Sequence, residues 1–260
     1  MRKFDEYSLP SLTKSMYVSQ QKWLEKNWKD ALKIHARRNI EGLLEKINVF
    51  DLWGDMLTDE YAVAKTLIPE IFTDAYLSIH FACMGLYKQA NVCLRAQLET
   101  ALRLVYFSTH PVEFGWWSSG KDEFFKRRDV WADDFVYFRR LDEVDKFQRV
   151  CDANKDKINV FDKVGHLYSG LSKYVHSSAL HFQTDPQRFA PKYKKAEFGK
   201  WLKSFKETQK YICLVLILGF ANDFKAASLP VKKRILKVTE ESKIKKGLRQ
   251  LLGLKFRGRV

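Results

Sequence analysis

The sequence predicts an all-α protein, and three observations carry that prediction. Glycine (12) and proline (6) are scarce over 260 residues, and a chain with few breakers forms long helices rather than a turn-rich β fold. Residues 87–109 are an unbroken run rich in Ala, Leu, Gln and Arg that Pro111 stops, which is the composition of a strong helix with a defined end. Hydrophobic residues make up 46% and aromatics 14%, enough for the large core that packed helices require.

The elements follow in order. Residues 1–18 read as irregular, with Pro10 and several serines. A helix is expected from Ser19 to about Ile47, with Trp23, Trp28, Leu32, Ile34, Ile40 and Leu43 or Leu44 among its apolar positions. Asn48 to Thr58 contains Gly54 and breaks the pattern. A helical hairpin comes next, with arms at Glu60–Met84 and Tyr87–Thr109 and Gly85 at the turn. Pro69 either kinks the first arm or marks its start.

Residues 112–135 are aromatic and charged, with a turn at Ser118, Ser119 and Gly120 and a short helix at 121–130. Residues 134–154 read as a further helix and Val160–His181 as another, with a loop at Asp185–Pro191. Glu197–Phe224 is a long helix, amphipathic at first and almost wholly apolar at its end. Pro230 then opens a basic amphipathic tail helix over about Val231–Leu252. The expected organisation is a helical bundle over 1–225 with an appended basic tail over 226–260.

The formal charge is +15, and Lys225–Val260 holds most of it, with 12 Lys and Arg against Glu240 and Glu241. Such a tail suits a polyanion: nucleic acid, an acidic protein or an anionic membrane surface. Its candidate nucleic-acid contacts are Lys232, Lys233, Arg234, Lys237, Lys245, Lys246, Arg249, Lys255, Arg257 and Arg259. A solvated basic helix that only aids solubility is the competing reading. Membrane binding has the tail's amphipathic character as its sole support.

The cysteines, Cys83, Cys93, Cys151 and Cys213, form no C-x-x-C pair, so neither a disulfide framework nor a zinc site is expected. Met1–Pro10 lacks the apolar stretch of a signal peptide, and the longest apolar run, Tyr211–Ala221, is about half a membrane span. A cytoplasmic protein without metal or cofactor is expected. The chain contains no phosphate-loop, dinucleotide-binding, zinc-protease or nucleophile-elbow motif.

Three constellations bear chemistry. Arg95 and Glu99 stand four residues apart on the second hairpin arm, with Arg103 beyond them and apolar neighbours all round, so they share a helix face that is part-buried or forms an ordinary surface ion pair. The segment Gly165–Ser178 carries His166, Tyr168, Ser169, Ser172, Tyr174, His176 and Ser177. Ser172 and His176 share a face there, either satisfying each other or serving a site that titrates near neutral pH. Arg103-x6-His110 pairs a cation that steadies phosphate charge with a group that moves a proton.

The pairing of CLRAQLETALRLVYFSTHP with HLYSGLSKYVHSS resembles a group of bacterial all-helical proteins linked to abortive infection and phage defence, similar to the HEPN superfamily. The resemblance covers roughly residues 70–220. It implies a bundle of four or five helices, often dimeric, and a metal-independent ribonuclease using an R-x4-6-H motif, for which Arg103 and His110 have the spacing. Leu104 stands where the family usually has a polar residue, and the motif falls early in the bundle instead of late. The alternative within the resemblance is a shared polar site of Arg95, Glu99, His166 and His176.

The resemblance implies an effector that takes RNA ahead of DNA, forms homo-oligomers and acts with a protein partner in a defence complex. A non-catalytic helical binding module, docking through its tail, is the alternative.

Overall fold

Apolar residues recur on more than one face of the segment 87–107, and a helix of that kind is stable only when surrounded. In the computed structural model of the protein this segment is the axis of the fold. The structure describes residues 11–34, 36–58, 61, 65–120, 146, 147, 149, 160–176, 192–239 and 242–253. Among them there is no strand. The helices are α1 (Ser11–Ile34), α2 (Ala36–Ile47), α3 (Val49–Met56), α4 (Ile68–Cys83), α5 (Tyr87–Phe107), α6 (Pro111–Ser118), α7 (Val160–Val175), α8 (Lys195–Gly219), α9 (Ala221–Ala226), α10 (Leu229–Val238) and α11 (Ser242–Leu252).

α5 packs against α4, α8 and α7. Leu94, Leu98, Ala101, Leu104 and Val105 fill its inner faces, meeting a core built by Ile71, Ala75 and Ile79 of α4 and by Phe198, Trp201, Phe205 and Ile212 of α8. Buried polar groups tie the same helices together. Ser78 Oγ donates to the Ala90 carbonyl at 2.8 Å and accepts from Trp201 Nε1 at 2.9 Å. Gln97 and Gln209, both fully buried, each donate a side-chain amide hydrogen bond to the other, at 3.1 and 2.8 Å. Each would cost free energy unpaired, so these bonds fix which helix faces which.

Gly85 turns the hairpin at φ +81°, and a Cβ there would lie 2.8 Å from the backbone carbonyl carbon of Lys192. Only glycine gives both the left-handed turn and the close approach. The segment that touches it is held in place: Asn27 donates to the Met84 carbonyl at 2.8 Å and accepts from the Tyr193 N–H at 3.0 Å, while the Lys194 N–H donates to Tyr87 Oη at 2.9 Å.

Several sequence expectations change. The first helix begins at Ser11, not Ser19, since a polar segment needs no apolar periodicity to be helical, and the described residues on to Ile47 are helical on both sides of residue 35. Gly54 lies inside α3, where burial of Val49, Phe50 and Trp53 outweighs the roughly 1 kcal/mol that glycine costs a helix. Pro69 marks the start of α4 and does not kink it. Residues 111–118, read only as part of an aromatic stretch, form α6.

The long apolar helix stops at Gly219, where a Cβ would come within 2.8 Å of Val105. The chain then bends at Phe220, setting Phe220 and Phe224 against Trp53. The helix expected at 121–130, nearly all of that at 134–154, and the loop at 185–191 lie outside the described residues, although 146, 147 and 149 are helical.

The tail is two helices instead of one, α10 and α11. Their apolar residues Ile235, Leu236, Val238, Ile244 and Leu248 are buried in the same core as the bundle, and α10 packs on α8 and α3. None of the helices among the described residues is long and apolar enough to cross a membrane.

Candidate functional site

The i,i+4 spacing of Arg95 and Glu99 on α5 is matched by the i,i+4 spacing of Tyr168 and Ser172 on α7, and the two pairs meet. Arg95 Nη2 donates to Glu99 Oε1 at 2.8 Å, and Arg95 Nε donates to Ser172 Oγ at 3.0 Å. Arg95 Nη2 also bonds to the Tyr168 hydroxyl, whose own O–H donates to Glu99 Oε1 at 2.9 Å. Ser172 completes the set by donating to the Tyr168 carbonyl at 2.9 Å. The Arg95 guanidinium carbon lies 4.6 Å from the centre of the Tyr168 ring, a cation–π arrangement.

Arg95 is 9% exposed. A guanidinium this buried is tolerable only because a carboxylate and two hydroxyls share its donors. Burial, followed by the Glu99 charge, pushes the Tyr168 phenol above its ordinary pKa, so it stays protonated and keeps donating at neutral pH. Among the described residues nothing bonds Arg95 Nη1 or Glu99 Oε2. The centre is chiefly a polar lock between α5 and α7, with the two N–H groups of Nη1 and one carboxylate oxygen left over.

The candidate histidines are not part of it. His166 and His176 are exposed on α7 and just beyond its end. Ser172 is committed to Arg95 and the Tyr168 carbonyl, and His176 contributes its backbone N–H to the Ser172 carbonyl at 3.0 Å. Tyr168 is named in the sequence among the polar residues of Gly165–Ser178, but without the role that the structure gives it. The sequence signal for it is only its i,i+4 spacing from Ser172, which gives a shared face and not the neighbouring helix.

Arg103 and His110 are drawn to different aromatic partners. The Arg103 guanidinium carbon lies 5.6 Å from the Trp117 ring centre. His110 stacks on Tyr106 with centroids 4.0 Å apart and rings 6° from parallel, and its Nδ1 lies 2.9 Å from the Tyr106 carbonyl and 3.0 Å from Thr109 Oγ1. The Tyr106 carbonyl only accepts, whereas Thr109 Oγ1 can donate or accept, so the two contacts hold the ring in place and are compatible with either tautomer.

The second surface of interest is the tail. Lys233, Arg234, Lys237 and Lys246 are exposed, and Lys232 and Arg249 are half-buried. Lys232 Nζ donates to the Lys225 carbonyl at 2.6 Å, anchoring the start of α10. The side chain of Lys245 and all of Lys255, Arg257 and Arg259 lie outside the described residues. Also among the described residues, no group of His, Cys, Asp and Glu is arranged to hold a metal ion. No family model, curated protein or solved structure matches the chain.

Proposed function

We propose that the protein is an RNA-directed helical module whose basic face holds the nucleic-acid backbone, acting as an effector or accessory subunit of a bacterial defence or nucleic-acid-processing complex. One observation carries this. Lys233, Arg234, Lys237 and Lys246 stand in solvent while Ile235, Leu236, Val238, Ile244 and Leu248 are fixed in the core. Neither α10 nor α11 contains an acidic residue. The cations are thus carried on helices whose other side is fixed in the core, an arrangement that attracts a polyanion with a strong salt dependence.

The same burial weighs against a membrane partner. An interfacial helix must insert its apolar face, and here that face is occupied by the protein's own core. The resemblance to HEPN-like proteins supports trying RNA ahead of DNA.

The test is fluorescence anisotropy with labelled RNA, comparing the full chain with Lys233→Glu/Arg234→Glu/Lys237→Glu. A loss of tenfold or more in affinity is expected, with a shallower salt slope. Equal binding by the two proteins would sink the proposal. Truncation at 225 is a poor substitute, because it also strips the buried residues of α10 and α11 from the core.

A second reading, a metal-independent ribonuclease, is favoured by the fixed position of the His110 ring, stacked on Tyr106. An imidazole held in place is the kind of group that abstraction of a 2′-hydroxyl proton requires. Cleavage of RNA by the wild type and not by His110→Ala, with chelator present, would support it. Intact RNA in both would remove it.

A further inference from the structure

Charge alone does not say which form of nucleic acid the basic face takes. Proteins that hold single strands combine cations with exposed aromatic rings on which bases stack. From Lys225 to Gly253 the chain has no aromatic residue. Phe224, just before, is fully buried, and Phe256, just after, falls outside the described residues. The polar outer face of α10 offers cations at 233, 234 and 237 and nothing with a π surface or an amide that could read a base edge. α11 adds exposed Lys246 and a single amide, Gln250.

The spacing also matters. Lys233 and Lys237 lie one turn apart on the same side of α10, and Arg234 stands beside them. A helix of 10 residues is about 15 Å long. A duplex concentrates phosphates from two strands within that distance, whereas a single strand must be extended along it at an entropic cost that stacking would normally offset. Contact is then made to phosphates and sugars, and duplex recognition through backbone shape is largely independent of sequence.

We infer that the face of α10 formed by Lys233, Arg234 and Lys237 binds the phosphate backbone of a nucleic-acid duplex, double-stranded RNA in the first instance, without reading its sequence. This inference rests on the RNA-binding reading above.

The experiment uses the full chain and anisotropy at fixed salt near 0.15 M. The probes are a blunt RNA duplex of about 20 base pairs, its single strand, a second duplex of unrelated sequence and a DNA duplex of the first sequence. The expected result is at least tenfold tighter binding of both RNA duplexes than of the single strand, equal for the two sequences, and lost in Lys233→Glu/Arg234→Glu/Lys237→Glu. Single-strand binding equal to or tighter than duplex binding overturns the inference and leaves the RNA-binding reading intact. Absence of binding to every probe overturns both. Equal binding of the DNA duplex supports backbone recognition and widens its source from RNA to any duplex. Circular dichroism of the variant checks that it folds, and Lys233→Gln/Lys237→Gln, expected to weaken duplex binding severalfold, serves if it does not.

Discussion

Arg95 Nε donates to Ser172 Oγ at 3.0 Å, and through this bond α5 holds α7 by a side chain that is 9% exposed. Breaking a buried ion pair on one side leaves the other charge stranded. Arg95→Ala is expected to destabilise by roughly 2–4 kcal/mol, because Glu99 then loses its cation and Ser172 its donor. Ser172→Ala removes one hydrogen bond and is expected to cost about 1 kcal/mol. Urea unfolding of the two variants checks the order, and Arg95→Ala within experimental error of wild type would show that the pair contributes nothing.

Gln97 and Gln209 form the second polar link, this time between α5 and α8. Each amide satisfies the other in a fully buried setting. Gln97→Leu alone strands the Gln209 amide and is expected to cost about 1–3 kcal/mol. Gln97→Leu with Gln209→Leu removes both polar groups at similar volume and should recover most of that loss. A double variant as unstable as the sum of the single ones would show that the two amides act independently.

The legibility of these features differs for physical reasons. α5 could be read because its composition and Pro111 are local signals, and Arg95–Glu99 because i,i+4 spacing is a property of one helix. That Tyr168 and Ser172 meet Arg95 could not be read, since periodicity reveals faces and not which helices are neighbours. The same blindness turned Ser172 toward His176 on its own helix. Gly54 and Gly219 misled in opposite ways: the first sits within α3 where a break was expected, and the second ends α8 against Val105 where the helix was expected to run on. The tail's amphipathic character was plain in the sequence, but only the fold shows that its apolar face is used internally.

Asp74 supplies a pH-dependent test. It is 9% exposed on α4, and among the described residues its carboxyl has no hydrogen-bond partner. Burial, with a contribution from Glu70, raises its pKa from 3.8 to about 7. A carboxyl raised on folding favours the folded state only while protonated. Below about pH 4 it is neutral in both states and exacts no penalty. The penalty grows as pH rises toward 7 and is full above it. Asp74→Asn should therefore match wild type near pH 4 and exceed it by roughly 2–4 kcal/mol at pH 8. Thermal or urea unfolding at both values would reveal it, and a stability difference that does not change with pH would contradict it.

His176 separates a structural from a chemical use of α7. Its ring is exposed just past Val175, and the fold takes from this residue only the backbone N–H that bonds the Ser172 carbonyl. An exposed side chain without a special backbone conformation usually changes stability by less than about 0.5 kcal/mol when removed. His176→Ala is expected to fold as wild type and to bind RNA within about twofold, while the charge reversals on α10 abolish binding at unchanged fold. Growth of cells expressing each variant, with total RNA profiled, extends the comparison to function. If His176→Ala erased an RNA-cleaving or growth-arresting phenotype that the α10 variant retained, the basic face would be dispensable and the chemistry would belong to α7.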